Sequence, residues 1–354
     1  MLFRGLMNKI IKLSSEIEIS YKKPPKIIAE ISCNHNGSKK IFNDHIKSAA
    51  KNGADLVKIQ TYEPEDITLK KLSKDFLIKK GIWKGKNLWK LYSKTQTPFK
   101  WHYDAFKICN DHNKIIFSSP FSLRAVDFLE KLNVKLYKIA SFEMDDVRLV
   151  DYVAQTKKPI ILSTGLNNIS SITKTLKIIR KYHNNVILLH CVSGYPTLIE
   201  NSNLRRIEDL KKRFNKNLIG LSDHTDSIYT SLASIPFKTC LIEKHFLINK
   251  KINSQDKLFS INPFQLRELS DISKKIHRSL NDNSQKNNEK QNEFFKRSLY
   301  TNKDVKKGEL ISEKNIVSLR PRIGINSSEF FNVLNRKFKK SLKAYTPIQR
   351  SFIS

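Results

Sequence analysis

The sequence predicts a (β/α)8 barrel, an α/β fold of the TIM type, followed by a small β-clip-like domain. Eight short apolar runs recur through the first 250 residues, helical patterns alternate with them, and nearly every run ends in a residue able to do chemistry. Strands of a closed parallel sheet are buried on both faces and read as continuous Ile, Val and Leu, and their carboxyl ends assemble the active site. Alternating strand and helix patterns mark parallel units with right-handed crossovers, and eight such units favour closure over an open sheet.

Residues 1–16 read as an N-terminal extension. MLFRGLMNKIIKL is interrupted by Arg4, Lys9 and Lys12, has no clear small-residue cleavage site, and offers Met7 as an alternative start. The catalytic barrel is placed at 17–280. Its first piece, Ile17 to Tyr21, alternates weakly and is expected to form a hairpin strand plugging the barrel floor before Pro24 and Pro25. The strand runs follow in order: IIAEI with Glu30, ADLVKIQ with Lys58 and Gln60, IIFSSPF with Ser118 and Ser119, and LYKIAS with Lys138 and Ser141. PIILSTG with Ser163, VILLHCVSGYP with Ser193 and Tyr195, LIGLSDH with Ser222 and His224, and TCLIEKHF with Lys244 and His245 complete the set. Helical periodicity fills residues 41–52, 101–113, 123–132, 146–156, 170–182, 204–214, 227–235 and 263–280. The longest interruption, Tyr62 to Pro98, carries Trp83, Trp89 and Tyr92, which a plain solvent loop does not need. An insertion at the catalytic end of a barrel shapes substrate access.

NDNSQKNNEKQNEFFK, residues 281–296, is polar and low in complexity and reads as a linker. Residues 297–354 hold short strand-like pieces, a turn at Lys307 and Gly308, and a short helix near Ser328 to Leu334. A module of that size is marginal alone and is expected to dock on the barrel or on a second subunit.

Composition narrows the classes. The 354 residues, 39% hydrophobic, bury a sizeable core, and no apolar stretch reaches the length of a membrane span. Cys33, Cys109, Cys191 and Cys240 lie far apart with no CxxC pair, as expected of reduced thiols in a cytoplasmic enzyme. The formal charge of +32 raises a nucleic-acid-binding, catalytically silent barrel as a different class of function. The excess is lysine scattered over helices and loops, which favours solvated faces and a field that captures anionic substrates.

His224 and His245 end two successive strands, the separation that brings two imidazoles to one divalent metal, with Glu30 at a third strand end. Lys58 and Lys138 sit inside apolar strands, where an ammonium needs an anionic partner. With the hydroxyls of Ser119, Ser141, Ser163 and Ser222 they make a site for a phosphate or carboxylate. Glu143 and Asp256 are candidate sugar-hydroxyl acceptors or proton shuttles. Lys138 as a Schiff-base lysine is the rival reading, disfavoured because that chemistry needs no metal and the two histidines suggest one.

These residues sit in AEISCNHNG (Ala29 to Gly37), GADLVKIQTY, FSSPF, YKIASFE, ILSTG, GLSDHT and IEKHF, and the ordered set resembles the sialic acid synthase (NeuB-like) family. The resemblance runs on into a C-terminal module similar to that family's antifreeze-like (SAF) domain. GIWKGKNLWKLYSKTQTPFKWH (Gly81 to His102) and CVSGYP (Cys191 to Pro196) most resemble the branch making pseudaminic acid, with N-acetylneuraminate and legionaminic acid synthases as the alternatives. The resemblance implies condensation of phosphoenolpyruvate with an N-acetylated amino sugar, here 2,4-diacetamido-2,4,6-trideoxy-altrose, and release of phosphate, aided by Mn²⁺, Mg²⁺ or Co²⁺. It implies His224 and His245 as metal ligands, with Glu30 holding or deprotonating a metal-bound water. It assigns Lys58, Lys138, Ser119, Ser141, Ser163 and Ser222 to phosphoenolpyruvate, and Gln60, Glu143, Tyr195 and Asp256 to the sugar. Arg320, in SLRP, matches an arginine that the SAF module delivers into the other subunit's site, which implies a domain-swapped homodimer without nucleic acid or membrane partners. Two departures from the family pattern stand out: Asn253, Ser254 and Gln255 precede Asp256 where the family has Gly-Gly-Pro, and Arg322 replaces a glycine after Pro321.

Overall fold

The computed structural model describes residues 9–281 and 289–354, so half of the expected extension and part of the expected linker lie outside the described residues. The chain divides between Leu280 and Asn281 into two compact units.

The first unit is a closed eight-stranded parallel barrel. Its strands are β3 (Lys26–Glu30), β4 (Leu56–Thr61), β5 (Ile115–Pro120), β6 (Tyr137–Ile139), β7 (Ile160–Ser163), β8 (Val186–Cys191), β9 (Leu218–Asp223) and β10 (Leu241–His245). β10 pairs with β3 and closes the ring. Before it lies a hairpin of β1 (Ile11–Lys12) and β2 (Glu18–Ile19). Ile11, Ile19 and Tyr21 pack in one core cluster with Leu56, Leu136 and Leu218, at the amino ends of barrel strands, and the Tyr21 hydroxyl accepts from the Ile219 N–H at 2.7 Å. The floor plug is therefore a two-stranded hairpin that starts at Ile11, inside the stretch expected to be an extension.

The helices follow from capping and apolar spacing. Ser38, Ser122, Asp146 and Asn168 each accept a main-chain N–H at the start of helices 39–51, 123–131, 147–155 and 169–179, which offsets about 1 kcal/mol of unpaired-donor cost per cap. Their buried residues recur at three and four positions, for example Leu149, Val150, Val153 and Ala154, and line the outer face of the sheet. The insertion after β4 contains a helix, Leu88–Thr95, capped by Asn87.

In the second unit, β11 (Ser298–Thr301) pairs antiparallel with β12 (Ile316–Leu319). Isolated bridges such as Val305 with Leu342 and Phe338 with Ile353 fold the rest around Leu299, Ile311, Ile325 and Ile348. The end of the expected linker belongs to this unit: Phe294 accepts from the Arg322 N–H at 3.1 Å, and Glu293 pairs with the Arg322 guanidinium at 3.1 Å. Arg322 is not among the positive-φ residues, so an arginine stands there without left-handed strain. Among the described residues no helix is long and apolar enough to cross a membrane.

Candidate active site

Barrel register decides which side chains meet. Successive strand residues point alternately to the helices and to the barrel axis, so Lys58 with Gln60, and Glu243 with His245, share the inner side. Their neighbours look outward. Lys244 reaches Asp223, whose carboxylate accepts from Ser231 of the surrounding helix layer, so it serves packing and not the cavity. The ladders then place inner residues side by side: His245 opposite Glu30, Glu30 opposite Lys58, Gln60 opposite Ser119, and Ser222 opposite both Glu243 and Cys191.

The strand ends enclose a cavity of about 430 Å³. Lys58, Lys138, Ser119, Ser141, Ser163 and Ser222 line it, as do Gln60, Glu143, Tyr195, Asp256, His224 and His245. Two expected residues stand elsewhere. Arg320 lies exposed at the end of β12 in the second unit and makes no ion pair among the described residues. Glu30 is fully buried and does not line the cavity; its carboxylate takes Lys58 Nζ at 2.9 Å and the Gln60 amide at 3.2 Å. The carboxylate thus faces Lys58, and His245 stands opposite Glu30 in the ladder.

Glu243, which the sequence reading passed over, is the hub of the charged floor. Its Oε1 lies 3.2 Å from Lys58 Nζ and 3.4 Å from Lys138 Nζ and accepts from the Ser222 hydroxyl at 3.3 Å. All four charged groups are 4% exposed or less. Burial alone would raise Glu243, but the Lys138 and Lys58 ammoniums and His245 hold it down to about 2. Burial raises Glu30, and Lys58 only partly reverses that. Lys58 keeps its proton: burial opposes the charge, and Glu243 and Glu30 together raise it above the ordinary lysine range. Lys138, for which burial outweighs Glu243, is lowered. An anion entering beside Lys138 supplies the second counter-charge that this lysine lacks. Around the lysines, the buried hydroxyls of Ser119 and Ser163 have no hydrogen-bond partner, while Ser141 and Ser193 share a 3.0 Å bond. Buried orphan hydroxyls facing a cavity are donors waiting for a ligand acceptor.

Across the cavity His224 and His245 approach each other, ring centroids 5.4 Å apart. His224 Nδ1 is turned to the Val192 carbonyl at 3.0 Å, and His245 Nδ1 lies 3.2 Å from an Asp256 carboxylate oxygen. Neither Nε2 has a hydrogen-bond partner among the described residues. Imidazoles anchored through Nδ1 with free Nε2 atoms fit a divalent ion. Among the described residues no group of three or more His, Cys, Asp or Glu side chains is arranged to hold a metal ion, so the fit rests on the two imidazoles alone. Asp256, expected as a sugar contact, is buried behind His245 as well as lining the cavity; burial would raise it, yet the His245 pairing leads the effects that hold it below the ordinary carboxylate range. The loop that lacks the family's glycines is held instead by Ser254, which donates to Asn34 Oδ1 at 2.6 Å, while the Asn34 amide donates to Phe246 and Ser260. Asn34 is thus a positioning residue that the motif CNHNG signals without revealing its partner.

Tyr195 packs on His224 at 4.4 Å and Phe259 on His245 at 4.8 Å. Glu143 sits at the cavity wall with one buried oxygen unpartnered, and burial raises it to about 7. The wall from the insertion is apolar and aromatic, built by Ile67, Ile78, Trp83, Leu91 and Tyr92. One end of the cavity is therefore cationic and hydroxyl-rich, one side carries two imidazoles, and the insertion supplies an apolar wall with few polar atoms.

A family model described as the NeuB family matches residues 45–285, most of the barrel. The chain is 39% identical over 320 residues to a pseudaminic acid synthase of Campylobacter jejuni, covering 90% of this chain and 93% of that one. It is 38% identical over 330 residues to a pseudaminic acid synthase of Helicobacter pylori, covering 92% and 97%. Among solved structures, an N-acetylneuraminic acid synthetase from Leptospira borgpetersenii, crystallised with citrate, superposes with a TM-score of 0.71 at 26% identity over 80% of this chain and 96% of that one. A barrel that gathers these strand-end residues, matched by the family model and by relatives across nine-tenths of its length, leaves one assignment: the chain belongs to the NeuB family.

Proposed function

We propose that the chain is a pseudaminic acid synthase. It condenses phosphoenolpyruvate with 2,4-diacetamido-2,4,6-trideoxy-altrose and water, giving the nine-carbon 2-keto acid and inorganic phosphate. The observation that carries this is the charged floor, in which Lys138 is lowered by burial and has one carboxylate partner beneath orphan serine hydroxyls. Phosphoenolpyruvate, with a carboxylate and a phosphate, answers two lysines and a ring of donors.

In this reading Lys58 and Lys138 receive the anionic groups, Ser119, Ser141, Ser163 and Ser222 orient them, and Glu30 and Glu243 hold the lysines in place. Gln60, Glu143, Tyr195 and Asp256 face the sugar chain. His224 and His245 would hold a divalent ion, which when bound would supply Lewis acidity at the sugar's open-chain aldehyde. The enol carbon then attacks that aldehyde, water adds at the resulting cationic C2, and the C–O bond to phosphate breaks. The Mn²⁺ preference, the SAF identity of the second unit and the homodimer belong to the same reading.

The decisive experiment is a phosphate-release assay, with mass spectrometry of the products, across altrose, mannosamine and legionaminic-type sugars. Metal-dependent release is expected, fastest with the diacetamido altrose. Absence of release with every N-acylated sugar overturns the reading, as does salt-sensitive nucleic-acid binding in its place.

A further inference from the structure

Between β4 and the helix 88–95 the insertion makes a tight hairpin. Leu77 and Asn87 pair antiparallel, the Ile78 N–H donates to Lys86 at 2.9 Å, and the Gly85 N–H donates back to Ile78 at 2.8 Å. Gly81 (φ +79) and Gly85 (φ +81) take left-handed backbone that a Cβ would strain. Outside the turn, Asn87 donates to the Lys71 carbonyl, and Lys86 Nζ donates to Gln255 Oε1 in the loop after β10. The residue fixed at the tip is Trp83.

Trp83 lines the cavity, its ring 5.6 Å from that of Tyr195 and tilted by 40°. Its Nε1 is buried and has no hydrogen-bond partner. An indole N–H taken out of water and left unpaired is destabilising, and a ligand acceptor removes that penalty. The surroundings limit what that acceptor is. Ile67, Ile78 and Leu91 line the same cavity, so it offers aliphatic surface as well as this donor. A group matching both features carries a carbonyl oxygen and a methyl on neighbouring atoms.

We infer that Trp83 is a specificity-determining residue that reads an acetamido group of the sugar, donating its indole N–H to the amide carbonyl while its ring and the aliphatic wall shelter the methyl. The inference rests on the proposed function and deepens it. Pre-organisation by the hairpin keeps the ring in place before sugar arrives, which lowers the entropy cost of recognition. Gln255, which departs from the family pattern, acquires a role as the anchor of Lys86 and hence a positioning residue for Trp83.

The test compares wild type with Trp83→Phe, which keeps an aromatic ring and loses the donor. Substrates are the diacetamido sugar and two analogues, each with one acetamido group replaced by a free amine. Trp83→Phe is expected to raise the KM of the diacetamido sugar about tenfold, with the KM for phosphoenolpyruvate unchanged. Against one of the two analogues, wild type and variant are expected to have the same KM. An equal penalty on all three sugars, or none on any, overturns the inference. A fall in the variant's thermal midpoint with a parallel rise in the KM for phosphoenolpyruvate also overturns it, because Trp83 then acts as structure. Wild type that releases no phosphate counts against the proposed function alone. In that case quenching of tryptophan fluorescence by N-acetylated sugars, lost in Trp83→Phe, still supports the subsite, and unchanged quenching overturns it.

Discussion

Glu243 Oε1 lies 3.4 Å from Lys138 Nζ and is the one carboxylate paired with that ammonium among the described residues. The contact ties β10 to β6 across the inside of the barrel, between strands that share no ladder. Burial lowers Lys138 and Glu243 only partly offsets that, so an entering anion adds counter-charge that this contact alone does not supply.

Glu243→Gln removes the carboxylate shared by Lys58 and Lys138. Breaking a buried ion pair from one side costs about 3–5 kcal/mol, and urea unfolding of the ligand-free protein should register a loss on that scale. Phosphoenolpyruvate brings negative charge to the same lysines. The stability gap between wild type and variant should narrow at saturating phosphoenolpyruvate, and a gap that stays constant or widens means the anion binds elsewhere.

Lys138→Met keeps length and removes the charge. Losing a charge-assisted contact to a buried anion is worth about 2–3 kcal/mol. Calorimetry should therefore show phosphoenolpyruvate binding weakened on the order of 100-fold, with metal binding by His224 and His245 unaffected. Equal weakening of both contradicts the division of the cavity into a cationic floor and an imidazole side.

Most of the barrel was legible because its strands announce themselves: β7 opens on Ile-Ile-Leu and β8 on Val-Ile-Leu-Leu, and the polar residues that end them fall where parallel strands must converge. Glu243 was missed for a physical reason that the same sequence contains. Attention went to Lys244 beside His245, yet strand periodicity puts 243 and 245 on one side and sends Lys244 out to Asp223. Glu30 stands out in the sequence, but no pattern in one strand reports that a lysine on the next will pair with its carboxylate. The Trp83 hairpin was marked only as an insertion rich in aromatics. Its closure depends on main-chain bonds between Ile78 and Gly85 or Lys86, and on Gln255 from a loop far along the chain.

Glu143 gives the ligand-free protein a signed pH dependence. Its carboxyl is raised by burial from 4.5 to about 7, so between those values the folded state holds a proton that the unfolded chain has released. Stability contributed by this group is complete below about 4.5, falls as pH rises towards 7, and is flat above, a difference on the order of 3 kcal/mol. Glu143→Gln should erase that slope in denaturation curves taken from pH 5 to 8. An unchanged slope assigns the titration to another group.

Asp256 stands 3.2 Å from His245 Nδ1 and orients the ring whose Nε2 is free. Removing such a partner weakens metal binding about 10- to 100-fold. Equilibrium dialysis with Mn²⁺ should show one ion bound by wild type, weaker binding by Asp256→Asn and none by His224→Ala. Full affinity in Asp256→Asn would leave Asp256 with a sugar role only.

Arg320 belongs to the second unit, exposed beyond β12, and the family resemblance has it serve the site of another subunit. Complementation tests this without any assumption about how the two units sit. Lys138→Met has a spoiled anion site and an intact Arg320; Arg320→Ala has the reverse. Unfolded together and refolded as a mixture, a domain-swapped dimer forms mixed pairs in which one site receives Lys138 from one chain and Arg320 from the other. With half of all dimers mixed and one good site in each, activity should recover to about a quarter of wild type. If Arg320 acts within its own chain, or plays no part at the site, the mixture shows only the average of the two variants. A refolded mixture no more active than that average removes Arg320 from the trans role.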